Sequence, residues 1–165
     1  MASNAPSHPL FLIPDPAPGR LYVMPAPRAG ALDDWIEDLR TVGVTNVVSL
    51  VSDEEVDALG LRDEVRVVDA ADIDFTHCPV TDFQTPEADA ARVFVSTVEK
   101  VADAMRAGHV VAVHCRAGIG RSGLLSACVL KALGADADAA IRRVTAARGH
   151  PSPENERQRA FVRAY

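Results

Sequence analysis

The chain is poor in the features that would place it outside the ordinary globular class. Cysteine occurs only three times in 165 residues (Cys78, Cys115, Cys128). An odd count this small makes no disulfide framework, so reduced thiols and a cytoplasmic setting are expected. Positive charge is in deficit: 17 Lys and Arg against 23 Asp and Glu leave −6 at pH 7. That balance argues against a nucleic-acid or anionic-membrane surface, so any bound anion must be met by positive groups gathered locally. No apolar run approaches the roughly 20 residues that cross a bilayer, so no membrane insertion is expected. The N-terminus lacks the charged and apolar regions of a secretory leader. His8, His77, His109 and His150 show no metal-ligand spacing, and neither a metal nor another cofactor is expected.

What is present describes one soluble α/β domain. Hydrophobic residues make up 48% and charged residues 24%, and the length suits a single core. Pro6, Pro9, Pro14, Pro16 and Pro18 crowd residues 1–19, which read as an irregular arm, with "PLFLIP" apolar enough to lie on the body. Residues 20–165 then form the single domain. "RLYVM" (20–24), "TNVVSLV" (45–51), "DFTHCPV" (74–80) and "HVVAVHC" (109–115) read as strands. Leu32, Trp35, Ile36 and Leu39 share one helical face that ends near Gly43. "SDEEVDALG" (52–60) has a cap and acidic first-turn residues, and 62–72 leans helical. Thr85-Pro86-Glu87 is expected to open the longest helix, which buries Phe94, Val98, Val101 and Met105 and stops at Gly108. Helices follow over 121–133 and 136–149, and a last one is expected with Ser152 as cap and Pro153 at its first position. Strands alternating with helices predict a central, mainly parallel twisted sheet flanked by helices.

The sharpest chemistry lies in "VVAVHCRAGIGRSGLL" (110–125). A buried strand delivers the chain to Cys115, and a helix starts a few residues later. Between them Arg116, Ala117, Gly118, Ile119 and Gly120 include two glycines, which permit a backbone that aims successive N–H groups inward. Those amides and the helix N-terminus make a nest for a tetrahedral anion. Arg121 adds a planar fork that can hold two phosphate oxygens. The same field favours a thiolate, because cysteines in such places fall from a pKa of about 8.5 to roughly 3.5–7.5. His, Cys, two Gly and Arg at this spacing arise by chance in roughly one in 10⁵ chains of this length. The bland reading, a core cysteine beside a turn, explains neither the glycines nor the arginine.

His114-Cys115-x5-Arg121-Ser122-Gly123 resembles the signature loop of the protein tyrosine phosphatase superfamily. The resemblance implies that Cys115 attacks phosphorus, that a cysteinyl-phosphate forms, and that water hydrolyses it. It further implies Arg121 as phosphate clamp, Ser122 as a donor to the departing sulfur, and His114 as an organiser of the loop. Such chemistry needs a carboxylic acid on a neighbouring loop to protonate the leaving oxygen. "HCPVTDFQTPE" (77–87) supplies Asp82 and resembles the general-acid loop of the compact dual-specificity branch, with Glu87 as the fallback. Glu54 or Glu55 is expected to hold the Arg121 fork, and Gln158 matches a glutamine that relatives keep near the pocket. Cys128 reads as core, and Cys78 as packing or as a thiol that could approach Cys115.

The segment from Gly19 to Leu61 is also similar to phosphatases related to the cyclin-dependent-kinase-associated enzyme and to bacterial dual-specificity types. The likeness implies a dual-specificity-like cysteine-phosphatase fold and a protein tyrosine or dual-specificity phosphatase acting on phosphorylated protein. The alternatives are an inositol-phosphate or phosphoinositide phosphatase and a non-catalytic phosphoresidue-binding module. Of the loop positions at which lipid-directed relatives are basic, Arg116 is basic and Ile119 is not. The oligomeric state is left open.

Overall fold

The computed structural model describes residues 6–165; residues 1–5 of the expected arm lie outside the described residues. Short β-branched runs become strands and helical stripes become helices. In chain order these are β1 (Phe11–Ile13), β2 (Arg20–Met24), α1 (Leu32–Thr41), β3 (Asn46–Ser49), α2 (Asp53–Ala58), α3 (Glu64–Asp69) and β4 (Asp74–His77). They continue with α4 (Asp89–Arg106), β5 (Val110–His114), α5 (Arg121–Ala132), α6 (Ala137–Arg148) and α7 (Glu156–Ala164). The sheet order is β1-β2-β5-β3-β4. β5 runs parallel to both β2 and β3, and β3 parallel to β4. The mainly parallel α/β sheet expected from sequence is therefore present.

Alternation along the strands divides the core into two layers. Val111 and Val113 of β5, with Leu21, Val23 and Val48, pack against Phe94, Val98, Leu124, Val144 and Val162 from α4 to α7. On the opposite face Val110 and Ala112, with Tyr22, Met24 and Val47, meet Trp35, Leu39, Leu61 and Val68. Each of these larger side chains, once out of water, contributes about 1.5–3 kcal/mol. Such double coverage explains why the strands are continuous apolar runs. It also leaves the C-terminal ends of β3, β4 and β5 as the place where loops converge, the usual ligand-binding edge of an open parallel sheet.

Four expectations need correction. Phe11–Ile13, assigned to an irregular arm, pairs antiparallel with β2 in the register Phe11–Val23 to Ile13–Leu21. The apolar "PLFLIP" stretch does lie on the body, as expected, but as an edge strand.

The longest helix begins at Asp89 rather than at Pro86, because Ala88 takes a left-handed backbone (φ 49°) that interrupts the helical path. Pro86 itself is buried in the preceding loop.

The last helix is capped by Asn155, whose side chain accepts from Gln158 N at 2.9 Å. Ser152 is not the cap, since its hydroxyl is committed to Ile119 O at 2.5 Å. The strands are also shorter than their apolar runs, β3 ending at Ser49 and β4 at His77.

Candidate active site

The loop after β5 is fastened from outside, and that fastening decides which way its amides point. Ala26 N donates to Arg116 O at 3.1 Å. Arg148 donates through Nη2 to Ala117 O at 3.2 Å and through Nε to Gly118 O at 2.7 Å, and Ser152 Oγ donates to Ile119 O. Four consecutive carbonyls are thus held outward. A trans peptide sets its N–H opposite its C=O, so the amides of residues 117–120 face the inside of the loop. Gly118 sits at φ +69°, and a β-carbon there would collide with the Met24 backbone. Only glycine fits.

Inside this ring lies Cys115, 3% exposed. Its Sγ is 3.3 Å from Ser122 Oγ, so the hydroxyl is placed to donate to the sulfur. Ser122 and Arg121 open α5, and the sulfur therefore faces a helix N-terminus as well.

Arg121 is 1% exposed and held from three sides. Glu55 grips it with both oxygens, and Nη1 also donates to Val80 O at 3.0 Å. Nη2 lies 3.2 Å from Asp82 Oδ1. Burial alone would lower the pKa of this guanidinium, but Glu55, the Cys115 sulfur and Asp82 outweigh it and hold the pKa above its ordinary value. Its Nε is buried without a partner among the described residues. Orphaned buried donors are rare and costly, and this one borders the amide ring.

Glu55, rather than Glu54, is the carboxylate on Arg121, and local structure explains the choice. Ser52 and Glu55 form a capping box at the start of α2, with Glu55 Oε2 accepting from Ser52 N at 2.9 Å. That places Glu55 inward, while Glu54 faces water. Hydrogen bonding from Arg121 holds the Glu55 carboxyl below the usual range, although burial opposes the shift.

Asp82 comes in from the loop after β4. Its Oδ1 accepts from Phe83 N at 3.0 Å, and Phe83 has a positive φ of 60° and is 58% exposed. Glu87 is exposed in the turn before α4, and the structure does not bring it to the loop. Gln158 is fully buried, but it serves the acid loop rather than the amide ring, donating through Nε2 to Gln84 O at 3.3 Å. Arg116 is exposed beside the mouth, and Ile119 is half-buried.

His114 points to the opposite face of the sheet from Cys115. Its Nε2 lies 2.6 Å from Glu64 Oε1 and its Nδ1 3.2 Å from Cys115 O. Both ring nitrogens thus face oxygens, which fixes the ring, and it also stands edge-on to Trp35.

Sequence reasoning missed Glu64, Arg148, Ser152 and Glu154. Glu64 reaches His114, and Arg148, Ser152 and Glu154 reach the loop, from distant parts of the chain without a local motif to announce them. Cys78 is buried, and burial pushes its pKa up. Cys128 is buried and pushed up to about 12. Among the described residues no cluster of His, Cys, Asp and Glu has the form of a metal site, and no helix is long and apolar enough to cross a membrane.

Residues 16–163 match the family PTP-SAK, described as Swiss Army Knife protein, DSP-PTPase phosphatase domain. No curated protein matches the sequence. Among solved structures, the chain is similar to a kinase-associated phosphatase bearing serine at its catalytic cysteine. That pair is 17% identical with a TM-score of 0.81, over 97% of this chain and 94% of the other. A protein tyrosine phosphatase from Leishmania major is 22% identical with a TM-score of 0.75, over 94% and 98% of the two chains. The phosphatase PTPMT1 in complex with PI(5)P is 19% identical with a TM-score of 0.69, over 87% and 88%.

Proposed function

The chain belongs to the cysteine-dependent phosphatases of the dual-specificity type, and from that premise we propose that it hydrolyses phosphorylated protein through a cysteinyl-phosphate at Cys115. Phosphomonoester cleavage by a cysteine is the family's chemistry. The substrate class and the roles of the side chains are the reading added here.

One observation carries the assignment of the phosphate to the loop. The carbonyls of 116–119 are held outward, which turns the amides of 117–120 inward, and Arg121 Nε is buried without a partner among the described residues. A phosphate group bound there satisfies the orphaned donors and presents phosphorus to the sulfur. In the first step Sγ attacks phosphorus, the ester P–O bond breaks, and Asp82 gives its proton to the leaving oxygen. In the second step water attacks phosphorus, a carboxylate takes its proton, and the P–S electron pair returns to Sγ with Ser122 donating to it. Arg121 holds the equatorial oxygens in both steps, and Glu55 holds Arg121.

For the substrate, the exposed Phe83 ring beside Asp82 offers a face to an aromatic ester such as phosphotyrosine. A phosphoinositide is the second reading, supported by the basic, exposed Arg116; Ile119 supplies no matching charge. A cytoplasmic location accords with the reduced thiols. A panel of phosphotyrosine and phosphoserine peptides against phosphoinositides and inositol phosphates, with Cys115→Ser as control, tests the reading. Faster turnover of the peptides is expected, and a preference for inositol-based esters overturns it.

A further inference from the structure

We propose that Glu154 is a second general acid of this site, able to protonate the leaving oxygen alongside Asp82. The inference rests on the hydrolase reading and adds a catalytic group to it.

The geometry comes from the connection between α6 and α7. Glu154 Oε1 lies so close to Gly120 that a β-carbon built on that glycine would overlap it. The carboxyl therefore lies against Gly120, the last residue of the loop before Arg121. Its position is fixed from both sides. Two residues earlier, Ser152 Oγ is bonded to Ile119 O of the same loop. One residue later, Asn155 Nδ2 donates to Phe83 O at 3.0 Å, next to Asp82. The connection thus bridges the phosphate loop and the acid loop, with Glu154 between the two anchors.

The charged groups acting on Glu154 are Asp82 from the acid loop, Arg121 from the start of α5 and His150 from its own connection. Burial, then the neighbouring Asp82 carboxylate, push its pKa above the ordinary value, against Arg121 and His150. Asp82, by contrast, has its Oδ1 between two donors, Phe83 N and Arg121 Nη2. Two carboxyls in unlike surroundings, one on the acid loop and one on the connection, thus stand near the same Arg121 guanidinium.

The step balances without a further reactant. Cys115 Sγ bonds to phosphorus, and the ester P–O bond breaks with its electron pair on the leaving oxygen. The Glu154 carboxyl gives that oxygen its proton and becomes a carboxylate. When water later attacks the cysteinyl-phosphate, its proton restores one carboxyl, and the P–S pair returns to Sγ.

The test compares Glu154→Gln, Asp82→Asn and the double variant on 4-nitrophenyl phosphate, a good leaving group, and phenyl phosphate, a poor one. With two acids, Asp82→Asn retains acid-assisted turnover of phenyl phosphate. Adding Glu154→Gln then costs about a further 10-fold or more on that ester and far less on the nitrophenyl one. Glu154→Gln alone moves the alkaline limb of kcat/KM to lower pH. A double variant no slower than Asp82→Asn on phenyl phosphate overturns the proposal, as does an equal loss on both esters, which marks a purely structural role. Glu154→Asp, which keeps the acid, is expected to recover part of the phenyl phosphate rate, and thermal unfolding of each variant reports folding. Both esters are small, so the outcome is independent of whether the natural substrate is phosphoprotein.

Discussion

Glu55 meets Arg121 edge to edge, Oε2 at 2.5 Å from Nη1 and Oε1 at 2.9 Å from Nη2, while its Oε2 also accepts the Ser52 amide that starts α2. One carboxylate therefore ends a helix and aims a guanidinium. The guanidinium is fully buried and the carboxylate side chain 16% exposed, so the pair is shielded from water far better than a surface bridge.

Glu55→Gln should remove the charge that holds Arg121. Turnover is expected to fall by about 10²-fold, the scale of losing one preorganised electrostatic contact. Stability should drop by at most about 3 kcal/mol, the low end for breaking a buried pair, because Glu55 keeps some water. Glu54→Gln, on the exposed side, should leave both unchanged. Since the folded pKa of Glu55 is depressed, its contribution is present above the unfolded value of about 4.3 and lost as pH falls through the folded one. Denaturant titrations between neutral and acid pH should show the wild type losing that increment and the variant lacking it.

Cys115→Ser should abolish hydrolysis while the amide ring still holds an oxyanion. Calorimetry with a phosphotyrosine peptide should detect binding where the rate assay detects nothing. Turnover retained by this variant would remove the nucleophile assignment.

Asp82→Asn should slow the first step by about 10²-fold for phenyl phosphate, the lower end of the range for general-acid catalysis. A good leaving group should suffer much less. Equal losses across leaving groups would show that Asp82 acts through Arg121, 3.2 Å away, rather than on the ester.

Ser122→Ala should act on the second half of the reaction. Its hydroxyl lies 3.3 Å from Cys115 Sγ and is placed to stabilise the sulfur as it leaves phosphorus. Rapid-mixing measurements should show a burst of nitrophenol followed by a slower steady rate. A variant with no burst and an unchanged steady rate would dismiss the role.

The parts that could be read in the sequence are those whose signal is local. The strand entering Cys115, the glycines and Arg121-Ser122 are contiguous, so strand, loop and helix were all legible. Asp82, which comes within 3.2 Å of Arg121, is marked in the sequence by its place between a strand and a proline. The choice between Glu54 and Glu55 was also available, since Ser52-x-x-Glu55 is a capping box that turns Glu55 inward. Phe11–Ile13 escaped because the four residues between Pro9 and Pro14 carry no periodicity, and the pairing with β2 is a tertiary event. The starts of α4 and α7 were misplaced for the same reason. Ala88 is bent by its surroundings, and Ser152 has its hydroxyl drawn away to Ile119. Glu64, Arg148 and Glu154 looked like the ordinary surface charges that most such residues are. Only the fold brings Glu64 under His114, Arg148 behind Gly118 and Glu154 against Gly120.

Because β5 lies between β2 and β3, a nascent chain that stops before Val110 can form only the separate β1–β2 and β3–β4 ladders. Nothing joins them until the middle strand emerges and inserts, which makes sheet completion a late event dominated by contacts distant in sequence. Cys115 follows the tip of that strand. Closing the sheet and setting this thiol beside Ser122 are therefore one event, and a molecule whose two halves have come apart lacks the assembled loop.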